Sequence, residues 1–393
     1  MKVLMINTVC GIGSTGRICT DIAASLEAQG HEVKIAYGRE KVPEQYQKYA
    51  IHIGSNVDVA LHGLRARLID GCGFGSKQAT KRFIKWVKEY NPDVIHLHNL
   101  HGYYINIEVL FNYLKVCGKK VLWTLHDCWA FTGHCTYFDY AGCDRWKNLC
   151  KDCLQQREYP VCRGLDRSKR NYLKKRQLFT DIKDFMLITP SEWLAKLVKQ
   201  SFLSEYAIEV IHNGVDTAIF KPTVSNLRDK FCLKDKKIIL GVASNWEKRK
   251  GLRYFIELSE LLTDEYRIIL VGLESKQINI LPEKIIGIAR TNSTQELAAL
   301  YTMADVFVNP TLEDNFPTTN LEAIACGTPV VTFDTGGSPE SAKLYGVIVP
   351  KGDIHELTKA IEVALQLEKC EMQYEISKEH MSHLYMMLYE NNT

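Results

Sequence analysis

Three hundred and ninety-three residues exceed the span one hydrophobic core organises, since domains cluster near ~100–150 residues and cores stop growing by ~250–300; two or three domains are expected. A composition of 46% hydrophobic, 24% charged and 10% aromatic residues excludes a disordered or fibrous chain. Forty-nine Lys+Arg against 46 Asp+Glu leave a net charge of +3, which gives no reason to expect nucleic acid as a partner.

The first segment reads as strand, glycine loop and helix. Val3-Leu4-Met5-Ile6 is a short apolar run, Gly11-Ile12-Gly13-Ser14-Thr15-Gly16 breaks it, and Ile18, Ile22 and Leu26 recur at helical spacing. The opening residues turn polar too soon for a signal-peptide core, and no run approaches the ~18 apolar residues of a membrane span. The chain is therefore expected in the cytoplasm, with its thirteen cysteines reduced or bound to metal. Further strands are expected at Val33–Tyr37, Val94–His98, Val121–Leu125 and Phe185–Ile188. Strands separated by helical stretches point to a parallel sheet covered on both faces.

The pattern then restarts. Strands are expected at Lys237–Gly241, Tyr266–Gly272, Val306–Val308 and Pro329–Phe333, with a helix carrying Phe255, Leu258 and Leu262. Two α/β units in series are expected to enclose a cleft in which carboxyl-end loops of both meet one ligand. The join falls between Asn213 and Lys236, a helix is expected over 354–367, and a last one over 372–389.

Several motifs sit on this frame. Gly11-x-Gly13-x-x-Gly16 matches the dinucleotide fingerprint, but Gly38-Arg39 stands where an acidic residue should hold a ribose. A phosphate or acceptor loop is favoured over NAD binding. In Thr311-Leu312-Glu313-Asp314-Asn315-Phe316-Pro317-Thr318-Thr319-Asn320-Leu321-Glu322, Pro317 suits the first turn of a helix whose amides offer an anion site. Its carboxylates can accept from sugar hydroxyls, or act as ordinary N-terminal acids.

Asp314-Asn315-Phe316-Pro317-x-x-x-x-Glu322-Ala323-x-x-Cys326-Gly327-x-Pro329-Val330-Val331 resembles the signature of glycosyltransferase family 4. The glycine loop, His126 in Thr124-Leu125-His126-Asp127, Ile211-His212-Asn213-Gly214-Val215-Asp216, Lys250-Gly251 and Thr335-Gly336-Gly337-Ser338-Pro339-Glu340 fit in the right order. The resemblance covers residues 1–350 and is nearest to bacterial enzymes of exopolysaccharide, capsule and lipopolysaccharide synthesis. It implies a retaining enzyme of the GT-B fold, two Rossmann-like α/β domains facing a central cleft. An acceptor domain over 1–220 carries a Cys-rich insertion at 128–162, a donor domain spans 221–368, and 369–393 packs back on the first.

The resemblance places Lys250 on the donor diphosphate, Glu322 on the ribose, and His126 beside the reacting sugar. Asp314 stands for the first glutamate of the family's pair, one methylene shorter, with Glu313 as the alternative. Asn245 replaces the family's usual arginine, leaving Lys248 or Arg249 to supply the second cation. The catalytic candidates are His126, Asp314 and Lys250, and the donor-binding candidates Gly13, Asn245, Arg249, Lys250, Glu313, Asn315, Phe316, Pro317, Thr318 and Glu322. A UDP- or GDP-sugar donor and a glycan or lipid-linked acceptor follow from the resemblance. No Asp-x-Asp pair occurs, so no cofactor is expected for catalysis. The alternatives are an NADP-dependent oxidoreductase, from Gly11–Gly16 and Arg39, or a non-catalytic sugar-nucleotide-binding subunit, from Asp314 and Asn245.

Cys135, Cys143, Cys150 and Cys153, the last two as Cys-x-x-Cys, suit a tetrahedral structural zinc; free thiols, disulfides or an iron–sulfur site are the alternatives. The basic run Arg163, Arg167, Lys169, Arg170, Lys174, Lys175 and Arg176 is either a solvated helix face or a contact with an anionic membrane. His96, His98 and His101 read as pocket lining and receive no metal role.

Overall fold

The computed structural model describes residues 1–368 and 374–390. Its contacts divide the chain into two units, Met1–His212 with the chain from Met381 onward, and Asn213–His380.

The first unit is built on a seven-stranded sheet of β1 (Lys2–Ile6), β2 (Glu32–Tyr37), β3 (Ala50–His52), β4 (Val94–Leu97), β5 (Lys120–Thr124), β6 (Phe185–Thr189) and β7 (Ala207–Val210), ordered β3-β2-β1-β4-β5-β6-β7. Every pair is parallel, with Met5 of β1 opposite Ile35 of β2 and His96 of β4. Alternate residues of β1 enter separate cores, as a strand period of two requires. Val3 and Met5 meet Ile18, Ile22 and Leu26 of the Gly13–Ala28 helix; Leu4 and Ile6 meet Ile95, Leu97, Phe111 and Trp123.

The second unit repeats the plan with β8 (Lys237–Val242), β9 (Tyr266–Val271), β10 (Ile285–Ile288), β11 (Val306–Asn309), β12 (Val330–Phe333) and β13 (Gly346–Val349), ordered β10-β9-β8-β11-β12-β13. This is the doubly wound order, whose direction reverses between β8 and β11, as it does between β1 and β4 in the first unit. Loops leaving the carboxyl ends of two strands that part at such a point leave a crevice for a ligand.

The nine strands expected from apolar runs are the interior strands of the two sheets. The four not anticipated, β3, β7, β10 and β13, are the edges. Each buries at most one of its residues fully, so none carries the continuous apolar run of a strand covered on both faces.

The division falls at 212/213 rather than 220/221, because Val215 and Phe220 pack into the core of the second unit with Leu240, Phe307 and Leu321. That unit is stapled where the chain enters and leaves it. Val215 bridges Ser377, its N–H donates to Ile376 O at 2.9 Å, and Lys378 Nζ lies 2.5 Å from Asp216 Oδ2. The final helix runs Lys378–Glu390 instead of starting near 372; Tyr374–Ile376 is a single 3-10 turn, and 369–373 and 391–393 lie outside the described residues. Met381, Tyr385, Met386 and Tyr389 join the core under Val3 and Met5. Tyr389 Oη lies 2.7 Å from His96 Nδ1, and Tyr385 Oη 3.1 Å from Thr124 Oγ1.

Candidate active site

In the second unit, the loops after β8, β11 and β12 interlock at the switch point. Leu312 N–H donates to Arg249 O at 2.7 Å, Thr335 Oγ1–H to Leu312 O at 3.1 Å, and Gly337 N–H to Asp314 O at 3.1 Å. Two glycines make this approach feasible. A Cβ on Gly251 (φ +78°) would stand 2.1 Å from Pro310 O, and one on Gly336 (φ +58°) 1.8 Å from Asp314 O. Only glycine combines a positive φ with such contact.

These loops bring Lys250 and Asp314 together at 2.5 Å (Nζ to Oδ2), with side chains 21% and 13% exposed. Burial alone would push the Asp314 carboxyl up. The Lys250 and Arg249 charges, the Lys250 hydrogen bond and the Asn315 N–H outweigh it and hold the group below the ordinary aspartate value, hence ionised. Arg249 divides its guanidinium between the Glu247 carboxylate, 3.2 Å from Nε, and the carbonyl of Glu313, 3.3 Å from Nη1. Glu313 is buried, whereas Asn245 is exposed near the start of the loop after β8.

The chain then enters the helix Thr318–Ala325. Pro317 occupies the cap position, one residue before the first turn it was expected to fill; no side chain caps the helix and its first turn holds no acid. The positive end of the peptide dipoles is left uncompensated, a site suited to an anion. Asn315 and Phe316 are buried, and Phe316 O accepts from Asn213 Nδ2 at 3.3 Å. Thr318 is half-buried at the helix tip. Glu322, one turn further, is 4% exposed and accepts from Tyr301 Oη at 2.9 Å. The helix is anchored beneath by Asn320, which donates to Ser341 Oγ (2.8 Å) and Ser338 Oγ (3.2 Å) and accepts from Asn309 Nδ2 (2.8 Å). Tyr301, Asn309 and Ser341 were not singled out from the sequence: their roles exist only once distant segments meet. Asn320 does lie inside the motif.

In the first unit, the loops after β1, β4 and β5 converge similarly. Asn7 Oδ1 accepts from Asn99 N–H at 3.2 Å, and Thr8 Oγ1–H donates to His101 O at 2.5 Å. Gly11 (φ +73°) lies where a Cβ would meet the Tyr46 ring at 2.4 Å, whereas Gly13 (φ +62°) has nothing within 4 Å of that position. The helix starting at Gly13 also lacks a side-chain cap and an acidic first turn.

His126 follows β5 and pairs its Nε2 with His98 Nδ1 at 3.0 Å. Burial lowers the His126 pKa to about 4, against the pull of Asp127. It also lowers the His98 pKa well below the ordinary imidazole value, helped by His96 and His126. Both rings are neutral at neutral pH and share one proton across that contact. Asp127 instead holds His101, 2.8 Å from Oδ2 to Nε2, and accepts Trp129 N–H at 2.8 Å. His98 and His101 thus belong to the same group as His126. Their sequence signal was the position of β4 beside the switch point.

Cys135, Cys143, Cys150 and Cys153 line one small cavity with His134. Among the described residues no three His, Cys, Asp or Glu side chains are so placed that they could hold a metal ion as they stand. The basic run begins in the loop before the Ser168–Phe179 helix and continues along it. Lys175 departs from the run by being buried, with Nζ 2.7 Å from Trp129 O and 3.1 Å from Thr132 O.

The sequence profile described as Glycosyltransferase Family 4 matches residues 15–219, and the profile described as Glycosyl transferases group 1 matches residues 236–366. The chain belongs to glycosyltransferase family 4 and is a glycosyltransferase, which removes the oxidoreductase reading. It is 25% identical over 365 residues, 88% of this chain and 86% of the relative, to a candidate colanic acid biosynthesis glycosyl transferase, WcaC, of Escherichia coli strain K12. It is 28% identical over 244 residues, 56% of this chain and 58% of the relative, to the amylovoran biosynthesis glycosyltransferase AmsK of Erwinia amylovora. Among solved structures, Anabaena HepE in complex with UDP-glucose is similar at a TM-score of 0.62 and 15% identity, covering 99% of this chain and 95% of that one. Sucrose-phosphate synthase of Thermosynechococcus elongatus is similar at 0.69 and 16%, covering 99% and 98%. At these identities the likeness establishes the fold, which is GT-B.

Proposed function

We propose that this glycosyltransferase moves a sugar from a UDP- or GDP-sugar to a glycan or lipid-linked acceptor in bacterial surface polysaccharide synthesis, with retention at the anomeric carbon. The observation that carries the donor reading is the Lys250–Asp314 pair at the switch point of the second sheet, in the loop that leads to the uncapped helix tip at Thr318. As the bond between the anomeric carbon and the diphosphate breaks, negative charge gathers on the leaving phosphate oxygen. Lys250 and the amides of the helix tip stabilise it there, and Glu322, steadied by Tyr301, accepts from the ribose hydroxyls. Asp314 holds Lys250 in place until a diphosphate competes for the ammonium. The acceptor oxygen takes the anomeric carbon and its proton leaves with the phosphate. The neutral His126 serves the reacting sugar as a hydrogen-bonding group.

The relatives named for colanic acid and amylovoran synthesis support a surface-polysaccharide role. Contact with an anionic membrane is part of the same proposal. No helix among the described residues is long and apolar enough to cross a bilayer, but the Asn56–Ile69 helix presents Val57, Leu61, Leu64 and Leu68 along one side, each more than half exposed. Leu165, equally exposed, joins the stripe through its N–H bond to Leu68 O at 2.9 Å. Arg65, Lys77, Arg170 and Lys174 surround Leu61, against the two carboxylates Asp58 and Glu108. Leucines over a cationic rim suit a lipid surface carrying negative headgroups.

The donor is tested by thermal shift against UDP- and GDP-sugars. A true donor at 100 times its Kd raises stability by about 2.7 kcal/mol, and NMR of the product then gives the anomeric configuration. Failure of every nucleotide-sugar to stabilise the protein defeats the donor reading.

A further inference from the structure

Residues 125–167 connect β5 to the Ser168–Phe179 helix with only two single-turn 3-10 segments, Trp129–Phe131 and Arg145–Lys147. A connection this long without regular structure gains little from backbone pairing and needs another source of order. Part of that order is aromatic: Phe138 stacks on Trp146 with centroids 4.7 Å apart, and Phe131 meets both edge-on at 6.2 and 5.3 Å. Beside this cluster lies the cavity lined by His134, Cys135, Cys143, Cys150 and Cys153.

The cavity carries the marks of a ligand. Its four cysteines are free thiols although packed together, and Cys135 and Cys153 hydrogen-bond through their sulfurs. Backbone N–H groups of Gly133 and Gln155 already donate to the sulfurs of Cys150 and Cys153, the contacts that steady metal-bound thiolates from outside the first shell. His134 is 2% exposed, and its Nδ1 is fixed by Asp70 Oδ1 at 2.6 Å. Its Nε2 is buried with no hydrogen-bond partner, an arrangement that is unfavourable unless something pairs with it. Lys175 brings a second positive group into the same buried region, close enough to feel Cys135 and Cys150. Thus four thiols and an orphaned imidazole nitrogen line one small space, with the Lys175 ammonium and the Asp70 carboxylate close by.

We propose that Cys135, Cys143, Cys150 and Cys153 hold one structural Zn²⁺ as four thiolates. Each thiol gives its proton to solvent as its sulfur bonds the metal, so the completed centre carries a net charge of −2. Lys175 offsets part of that charge, and His134, taking up one of the released protons so that both ring nitrogens carry hydrogen, donates Nδ1–H to Asp70 and Nε2–H to a thiolate, which satisfies the orphaned atom. Because no three donors among the described residues already form a shell, binding turns the side chains inward to the ~2.3 Å Zn–S distance. The ion then does for this connection what regular structure does elsewhere: it fixes the loop that starts at His126 and Asp127.

The test is elemental analysis of the full chain, expressed with zinc in the medium and purified without chelator. About one zinc per chain is expected. Negligible zinc, iron in its place, or an intact mass showing disulfides overturns the proposal. Titrating the wild-type protein with a mercurial in the presence of a chromogenic chelator should release zinc in step with modification of the four thiols. The C150S/C153S variant should lose the metal and become sensitive to proteolysis within 128–167, while C128S and C162S retain it. H134Q should keep the metal; if it loses zinc while C135S retains it, histidine is the ligand and the four-thiolate centre is wrong. The mercurial titration decides the matter even where a variant does not fold.

Discussion

Replacing Lys250 with methionine removes the ammonium and leaves the Asp314 carboxylate facing its loop alone. Two effects follow, and they separate. Breaking a buried pair from one side costs about 3–5 kcal/mol; with Lys250 21% and Asp314 13% exposed, water screens part of this and about 1–3 kcal/mol is expected. The catalytic loss has a different origin. One preorganised donor to the departing anion is worth about 10²–10³ in kcat, so K250M should lower turnover by that factor. Adding D314N removes the stranded charge, so the double variant should recover most of the lost stability while kcat stays low. Urea unfolding measures the first quantity and release of nucleoside diphosphate from the donor measures the second. If K250M turns over at the wild-type rate, Lys250 does not touch the leaving group. If D314N restores kcat along with stability, the lysine acts only as a structural partner.

Glu322→Gln should weaken nucleotide affinity more than kcat, read by calorimetry with UDP and GDP; an unchanged Kd would remove Glu322 from the ribose. Gly336→Ala places a methyl group 1.8 Å from Asp314 O at a positive φ, so it should displace the Asp314 loop and lower both stability and donor affinity. Affinity equal to wild type would mean the loop tolerates that shift. L61D/L64D should abolish sedimentation with vesicles containing anionic lipid while leaving donor binding intact; retained binding to those vesicles would refute the membrane contact. Stability should fall on acidification below about pH 6.5, because the unfolded chain takes up protons that His62, His96 and His126 refuse. Their folded pKa values are lowered to about 4, 3 and 4. The stabilisation is complete above the unfolded value and declines progressively down to the folded ones. A flat urea midpoint between pH 6.5 and 4 would contradict the burial of these rings in the neutral form.

What the sequence discloses is set by how far apart the interacting residues lie. Interior strands such as Val121–Thr124 and Val330–Phe333 announce themselves because both faces are buried, and one apolar run records that fact locally. The edge strands Ala207–Val210 and Gly346–Val349 alternate or mix exposure, so nothing local distinguishes them from loops. The same rule divides the site. The stretch 311–323 is continuous in sequence and was legible as the loop and helix tip that follow a buried strand, and the family resemblance added Lys250. That Lys250 meets Asp314, that Tyr301 holds Glu322, and that His98 shares a proton with His126 are pairings across 64, 21 and 28 positions. Each depends on sheet order, and no local pattern encodes that order. His134 illustrates the limit most clearly, since its partner Asp70 lies 64 residues earlier, at the end of another helix.

The staple between Val215 and Ser377 bears on how the polypeptide acquires its shape during synthesis. Everything the second unit needs is contiguous, and its two ends are clasped together, so it can complete its core as an uninterrupted insert. The first unit cannot: Tyr385 and Tyr389, which bond Thr124 and His96 beneath its sheet, are synthesised only after the whole of the second unit. The usual order, earlier domain first, is therefore reversed between these two units: the one that starts earlier in the sequence closes its core after the other.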